Sequence, residues 1–166
     1  SHYDLSEESY SLFEHCRRAL KYGDTQGPHG LPLIGSGAWN DGLNRVGIEG
    51  QGESVWLAWF VYENHKRFAD LCDLKGETEL SRQHQERADE LRETIENVAW
   101  DDEWYLRAYY DDGSPLGSHR NRECQIDSLP QSWSVLTGGG SQERRQKAMQ
   151  SVEEHLVRND ERLIQL

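Results

Sequence analysis

The feature that most constrains this chain is a long break in helical patterning. Residues 23–52 hold nine glycines together with Pro28 and Pro32, and amphipathic segments flank them on both sides. Glycine and proline both oppose a helix interior. A connection of that length inside one domain is uncommon and is usually functional. The fold must therefore fasten a long loop onto a helical scaffold, and that loop is the first place to look for a site.

Around the break, apolar residues recur at helical spacing. A first helix is predicted over residues 6–22, with Leu12, Phe13, Cys16, Ala19 and Leu20 on its stripe, Ser6 as its cap and Gly23 as its stop. A second is predicted from about Glu53 to Leu74, and a third from about Glu79 to Val98. The short link between these two reads as an antiparallel pair. Residues 104–110 alternate and lead into Asp111-Asp112-Gly113, which predicts a short hairpin. A fourth helix is expected from Asp127 or Ser128 to just before Gly138, and a fifth over residues 142–157 behind Ser141. The class is mainly α: helical hairpins with long loops gathered at one end and one short β-hairpin, the layout of a helical toroid. No internal repeat of fixed period is visible.

Composition narrows the function. The chain has 166 residues, enough for one ordinary domain. Its 18 Lys+Arg against 30 Asp+Glu leave a formal charge of -12, which argues against non-specific nucleic-acid binding. No apolar run approaches the roughly 18 residues of a membrane span, and no signal peptide is visible. Cys16, Cys72 and Cys124 are odd in number and far apart, so neither a disulfide framework nor a zinc site is expected, and a reducing cytoplasmic setting is the default. The seven histidines are scattered, and no metal is predicted. Six tryptophans are many for so polar a chain; each is core area or a flat platform for a sugar ring.

The densest part of the loop is residues 30–47, where Asp41 follows Trp39 and Asn40 between Gly37 and Gly42. A carboxyl packed beside an indole loses hydration, which raises its pKa. A protonated Asp at neutral pH suits a general acid that protonates a leaving-group oxygen. Trp39 can stack on a sugar ring, and Arg45 can bind an anion or hold Asp41. The same residues also suit a turn capped by Asp41. Gly35 and Gly37 do not form a dinucleotide fingerprint. Gln131 with Trp133, and Arg107 with Tyr109 and Asp111, are further candidates for sugar contact. Glu53 reads as a helix N-terminal acid, His29 as an exposed loop histidine, Glu14 as helix surface, and Trp56 and Trp59 as core.

Three segments carry a family resemblance: residues 30–35 (Gly-Leu-Pro-Leu-Ile-Gly), residues 39–47 (Trp-Asn-Asp-Gly-Leu-Asn-Arg-Val-Gly) and residues 52–60 (Gly-Glu-Ser-Val-Trp-Leu-Ala-Trp-Phe). Residues 104–113 and 126–133 continue it in the same order. Together they resemble glycoside hydrolase family 94, the inverting glycoside phosphorylases once grouped as glycosyltransferase family 36. The likeness is greatest to the C-terminal region of cyclic β-1,2-glucan synthases. It implies an (α/α)6 barrel, of which residues 1–166 would be a fragment, since a full barrel needs about twice as many helices. It implies cleavage of a β-glucosidic bond by inorganic phosphate with inversion, or the reverse synthesis, and no cofactor.

The resemblance makes Asp41 the general acid and Trp39 part of the donor-sugar subsite; Asn40, Arg45, Gln131 and Arg107 are expected as substrate contacts from their own chemistry and position. Its implied partners are an oligosaccharide or β-glucan, phosphate and the rest of a parent chain. Apolar helix faces of an opened barrel would favour self-association. A β-glucan synthase parent would place the segment on the cytoplasmic side of an inner membrane. Two departures stand out. Ala38 replaces the Asp that usually opens the family's motif, and the family's phosphate-binding His and Thr-Gly segment would lie beyond Leu166. The fragment alone is therefore expected to be inactive. The alternatives are a non-catalytic carbohydrate-binding helical module and a purely structural piece of a larger chain.

Overall fold

In a computed structural model of the chain, residues 6–37 and 41–165 are described, with Asp41 described by its backbone alone. Helix α1 spans Leu12–Gly23. Its start is a correction: Ser11, not Ser6, caps it, with the Ser11 hydroxyl accepting from the Glu14 amide. Both serines have cap chemistry, but only from Ser11 onward does the apolar stripe face a partner, as Phe13 stacks on Phe68. Glu14 lies on the helix surface, bonded to Arg17 and Arg18.

Helix α2, Val55–Leu74, is the central element. Val55, Ala58, Trp59, Val61, Tyr62, Phe68, Ala69 and Cys72 are buried along it. Helix α3, Thr78–Val98, returns along α2 after a three-residue link, Lys75, Gly76 and Glu77. It presents Ala88, Leu91 and Ile95 to the same core, each fully buried. The opposite face of α3 is charged, as an amphipathic helix at a surface requires. Helices α4, Ser128–Thr137, and α5, Gln142–Leu156, close the other side. Asp127 and Ser141 cap them, and Gly138 ends α4 in the left-handed region at φ 65. Trp59 is fully buried and Trp56 nearly so, as expected of core tryptophans.

The strands are all two residues long, too short for alternation to announce them. Glu53–Ser54 (β1), Ala108–Tyr109 (β4) and Pro115–Leu116 (β5) make one antiparallel sheet in the order β1-β4-β5. Trp100–Asp101 (β2) and Trp104–Tyr105 (β3) pair with each other, as do Val157–Arg158 (β6) and Leu163–Ile164 (β7). The expected hairpin turn at Asp111-Asp112-Gly113 therefore exists, but it joins β4 to β5, and residues 104–110 contribute to two separate sheets. Among the described residues no helix is long and apolar enough to cross a membrane. None of them forms a group of three or more His, Cys, Asp or Glu able to hold a metal.

Candidate active site

The Gly-rich stretch is held at two feet by residues that come later in the chain. The first foot is a turn that runs into extended chain. Gly27 N–H donates to Leu31 O at 2.8 Å, and Gly30 N–H donates to Gly27 O at 3.0 Å. Leu33 then bridges Glu53, Ile34 N–H donates to Gly52 O, and Ser54 N–H donates to Pro32 O, both at 2.9 Å.

Glu53 sits in β1 with its side chain fully buried, which corrects its reading as a helix N-terminal acid. Its Oε1 accepts from the backbone N–H groups of His29 and Leu31, each at 3.0 Å. Its Oε2 lies 2.5 Å from His29 Nδ1. The His29 ring stacks on Tyr109 with centroids 3.9 Å apart. His29 is thus pinned on one nitrogen and one face, and is not a free loop histidine. Gly27 is required here, because a Cβ would collide with the Glu53 side chain.

The second foot is built on Asp111. Its Oδ1 accepts from Gln51 and Gly52, and its Oδ2 accepts from Glu49, all at 2.8 Å. The Glu49 amide draws its carboxyl below the ordinary Asp pKa; desolvation opposes this, and the Gln51 and Gly52 amides add to it. Asp111 N–H in turn donates to Val46 O at 3.1 Å. Between the feet lies a small apolar floor of Ile34, Val46 and Ala108, with Leu43, Tyr110 and Leu116 packed against it. A Cβ on Gly47 would come within 2.5 Å of Ile34 Cγ2, so the two feet meet directly.

The segment between the feet carries the residues singled out from sequence. Asp41 opens a 3-10 turn, Asp41–Leu43. Ala38, Trp39 and Asn40 lie outside the described residues, as does the Asp41 side chain. Arg45 is exposed and lines a shallow surface pocket with Glu49, Tyr110, Asp111 and Asp112.

Arg107 and Gln131 are both buried. Arg107 is 2% exposed. Its Nε lies 3.1 Å from Asp127 Oδ2 and an NH group donates to Ser54 Oγ at 3.3 Å. Ser54 and Asp127 are the caps of α2 and α4, so one guanidinium ties together the starts of two helices. Burial pushes the Arg107 pKa down, while Asp127 holds it up. Gln131 is fully buried. Its Oε1 accepts from Tyr105 N–H, and its Nε2 donates to the carbonyls of Tyr105 and Asp127. Trp133 is partly buried, edge-on to Trp56 and Phe60. Sequence reasoning missed Glu53 and Asp111 as the organisers of the loop. The available signal was Glu53 directly after Gly52 in a segment rich in close-packing glycines.

With that loop geometry in place, comparison with known proteins is decisive. Residues 2–165 match the family described as "Glycosyl hydrolase 94 superfamily, catalytic domain". The chain belongs to that superfamily. Over 164 residues it is 42% identical to the cyclic beta-(1,2)-glucan synthase NdvB of Rhizobium meliloti (strain 1021), covering 98% of this chain and 6% of that protein. It is 36% identical over 155 residues to solabiose phosphorylase of Paenibacillus borealis, covering 92% of this chain and 20% of that protein. It is 34% identical over 150 residues to cellobionic acid phosphorylase of Neurospora crassa, covering 90% of this chain and 19% of that protein. This family 94 chain thus spans a fifth or less of these relatives.

Proposed function

We propose that the chain is the acid-bearing part of a family 94 catalytic domain that breaks or makes β-glucosidic bonds with inversion, using inorganic phosphate and β-1,2-glucan. The observation that carries this reading is the match of nearly the whole chain to a catalytic domain whose relatives here are a glucan synthase and phosphorylases. In this reading the five helices are part of an (α/α)6 barrel. Asp41 protonates the departing glucosyl oxygen, Trp39 stacks on the donor sugar, and Asn40 and Arg45 bind the hydroxyls or the anion beside it.

The chemistry needs one catalytic carboxylate. An inverting hydrolase uses a second one to activate water, but phosphate is already an anionic nucleophile. What it needs instead is cationic or dipolar groups that hold phosphate on the sugar face opposite Asp41. The loop geometry supports the reading because both ends of the Asp41 segment are fastened to buried or half-buried acceptors, and a proton donor must be held in a fixed pose. Arg107 and Gln131 then serve by fixing the helix starts and the β3 backbone around the site.

The test is Asp41→Asn in the full-length protein, assayed for glucose 1-phosphate formed from β-1,2-glucan and phosphate. The expected outcome is loss of turnover with unchanged folding. Near-normal turnover would remove Asp41 from the acid role. Retained glucan binding without turnover in wild type would favour the binding-module reading. The 166-residue piece alone is expected to form no product.

A further inference from the structure

The reading above leaves two carboxylates without a task, and both touch the loop that carries Asp41. Glu53 is fully buried, and a buried carboxylate is costly unless hydrogen-bonded. Its bonds go to the His29 and Leu31 amides and the His29 ring. Asp111 spends both oxygens on the amides of Glu49, Gln51 and Gly52, about 60 residues earlier in the chain. Neither carboxylate bonds to a helix terminus or to a cation of Lys or Arg among the described residues. Both are spent on the loop's feet.

The two sets also share one frame. Leu33, Glu53, Tyr109 and Pro115 lie in register across the bridge and the β1-β4-β5 sheet. Asp111 lies two residues past the end of β4, and Glu53 opens β1. Residues 35–47 therefore leave and rejoin a four-segment frame at points that these two carboxylates lock.

We propose that Glu53 and Asp111 are positioning residues that clamp the two feet of the Asp41 loop and so set the pose of the acid. The proposal rests on Asp41 being the acid, but its structural half does not. Glu53→Gln keeps an acceptor for the two amides and loses the anionic partner of His29 Nδ1. Asp111→Asn keeps one acceptor oxygen and turns a donor toward the Glu49 amide. Both changes loosen a foot without emptying core volume.

The experiment uses the full-length protein with each variant, the double variant and the core control Ile95→Val. Amide hydrogen exchange is read over residues 34–52 and over α2 and α3, and kcat and KM are read per folded molecule. Each variant is expected to raise exchange across residues 34–52 about tenfold with α2 and α3 unchanged. It is also expected to lower kcat by one to two orders of magnitude with KM within about twofold, because small misplacement of a reacting group is costly. The double variant should lose less than the product of the two single losses, since both act on one loop. The control should leave loop exchange, kcat and KM at wild-type values and raise exchange only in the helical core. Unchanged loop exchange, or exchange that rises equally in α2 and α3, overturns the proposal whatever the rate does. Looser loop exchange with kcat intact also overturns it. If Asp41→Asn retains turnover, the acid assignment falls on its own and the exchange result still decides the clamp.

Discussion

At the scale of single residues, the polar interior does most to explain the loop end of the molecule. Gln131 is an instance with a measurable cost. Its amide meets three backbone groups, so Gln131→Leu would strand Tyr105 N–H and two carbonyls in the core. Each unsatisfied buried group costs about 1–3 kcal/mol, and partial relaxation leaves a net loss of about 3 kcal/mol. Urea unfolding should show it. Asp24 gives a pH signature. Burial favours its neutral form, but two hydrogen bonds from Arg87, with His65 Nε2 3.4 Å away, outweigh that and hold its carboxyl well below the usual range. A carboxyl lowered by folding adds stability above its unfolded pKa of about 4, and loses it as pH falls toward the folded value. Asp24→Asn should therefore be less stable than wild type at neutral pH, and the gap should close as pH drops below about 4. A gap that widened in acid would contradict this. These partnerships were not legible in the sequence. Gln131 and Arg107 look like cleft residues because polar groups among aromatics suit sugars, yet their partners are backbone and caps far away in the chain.

Among the elements, helix ends are where the sequence was most and least readable. The stripes of α2, α3 and α5 predicted their extents to within two residues, because burial on one face enforces a period near 3.6. The two-residue strands had no such period to show. The pairing of β1 with β4 is decided by hydrogen bonds between segments more than 50 residues apart. Caps differ in what depends on them. Ser141 accepts one amide of α5, and Ser141→Ala should cost about 1 kcal/mol. Asp127 caps α4 and also faces the buried Arg107. Asp127→Ala strands that charge, so its cost should approach the 3–5 kcal/mol of a broken buried pair, about threefold the Ser141 value. Equal unfolding midpoints for the two variants would show that Arg107 finds another partner.

For the molecule as a whole, one side keeps apolar surface open to solvent. Between α1 and α2 lies an open apolar groove lined by Leu20, Leu57, Phe60, Phe68 and Leu71. Self-association is one way to remove it from water. The net charge of -12 opposes that association, and salt screens the charge. Sedimentation equilibrium should therefore show mass rising with ionic strength, and Leu71→Lys should hold the piece monomeric. Mass independent of salt and of Leu71→Lys would place the contact elsewhere.

The clamp on the loop also orders events in time. Helices α2 and α3 pack on each other across a three-residue link, and local contacts form early. The feet of the loop wait for Tyr109, Asp111 and Leu116, which leave the ribosome later. During synthesis the α2-α3 pair can thus be folded while the loop is still unfastened, and the loop gains its second foot only after the β4-β5 hairpin has been made.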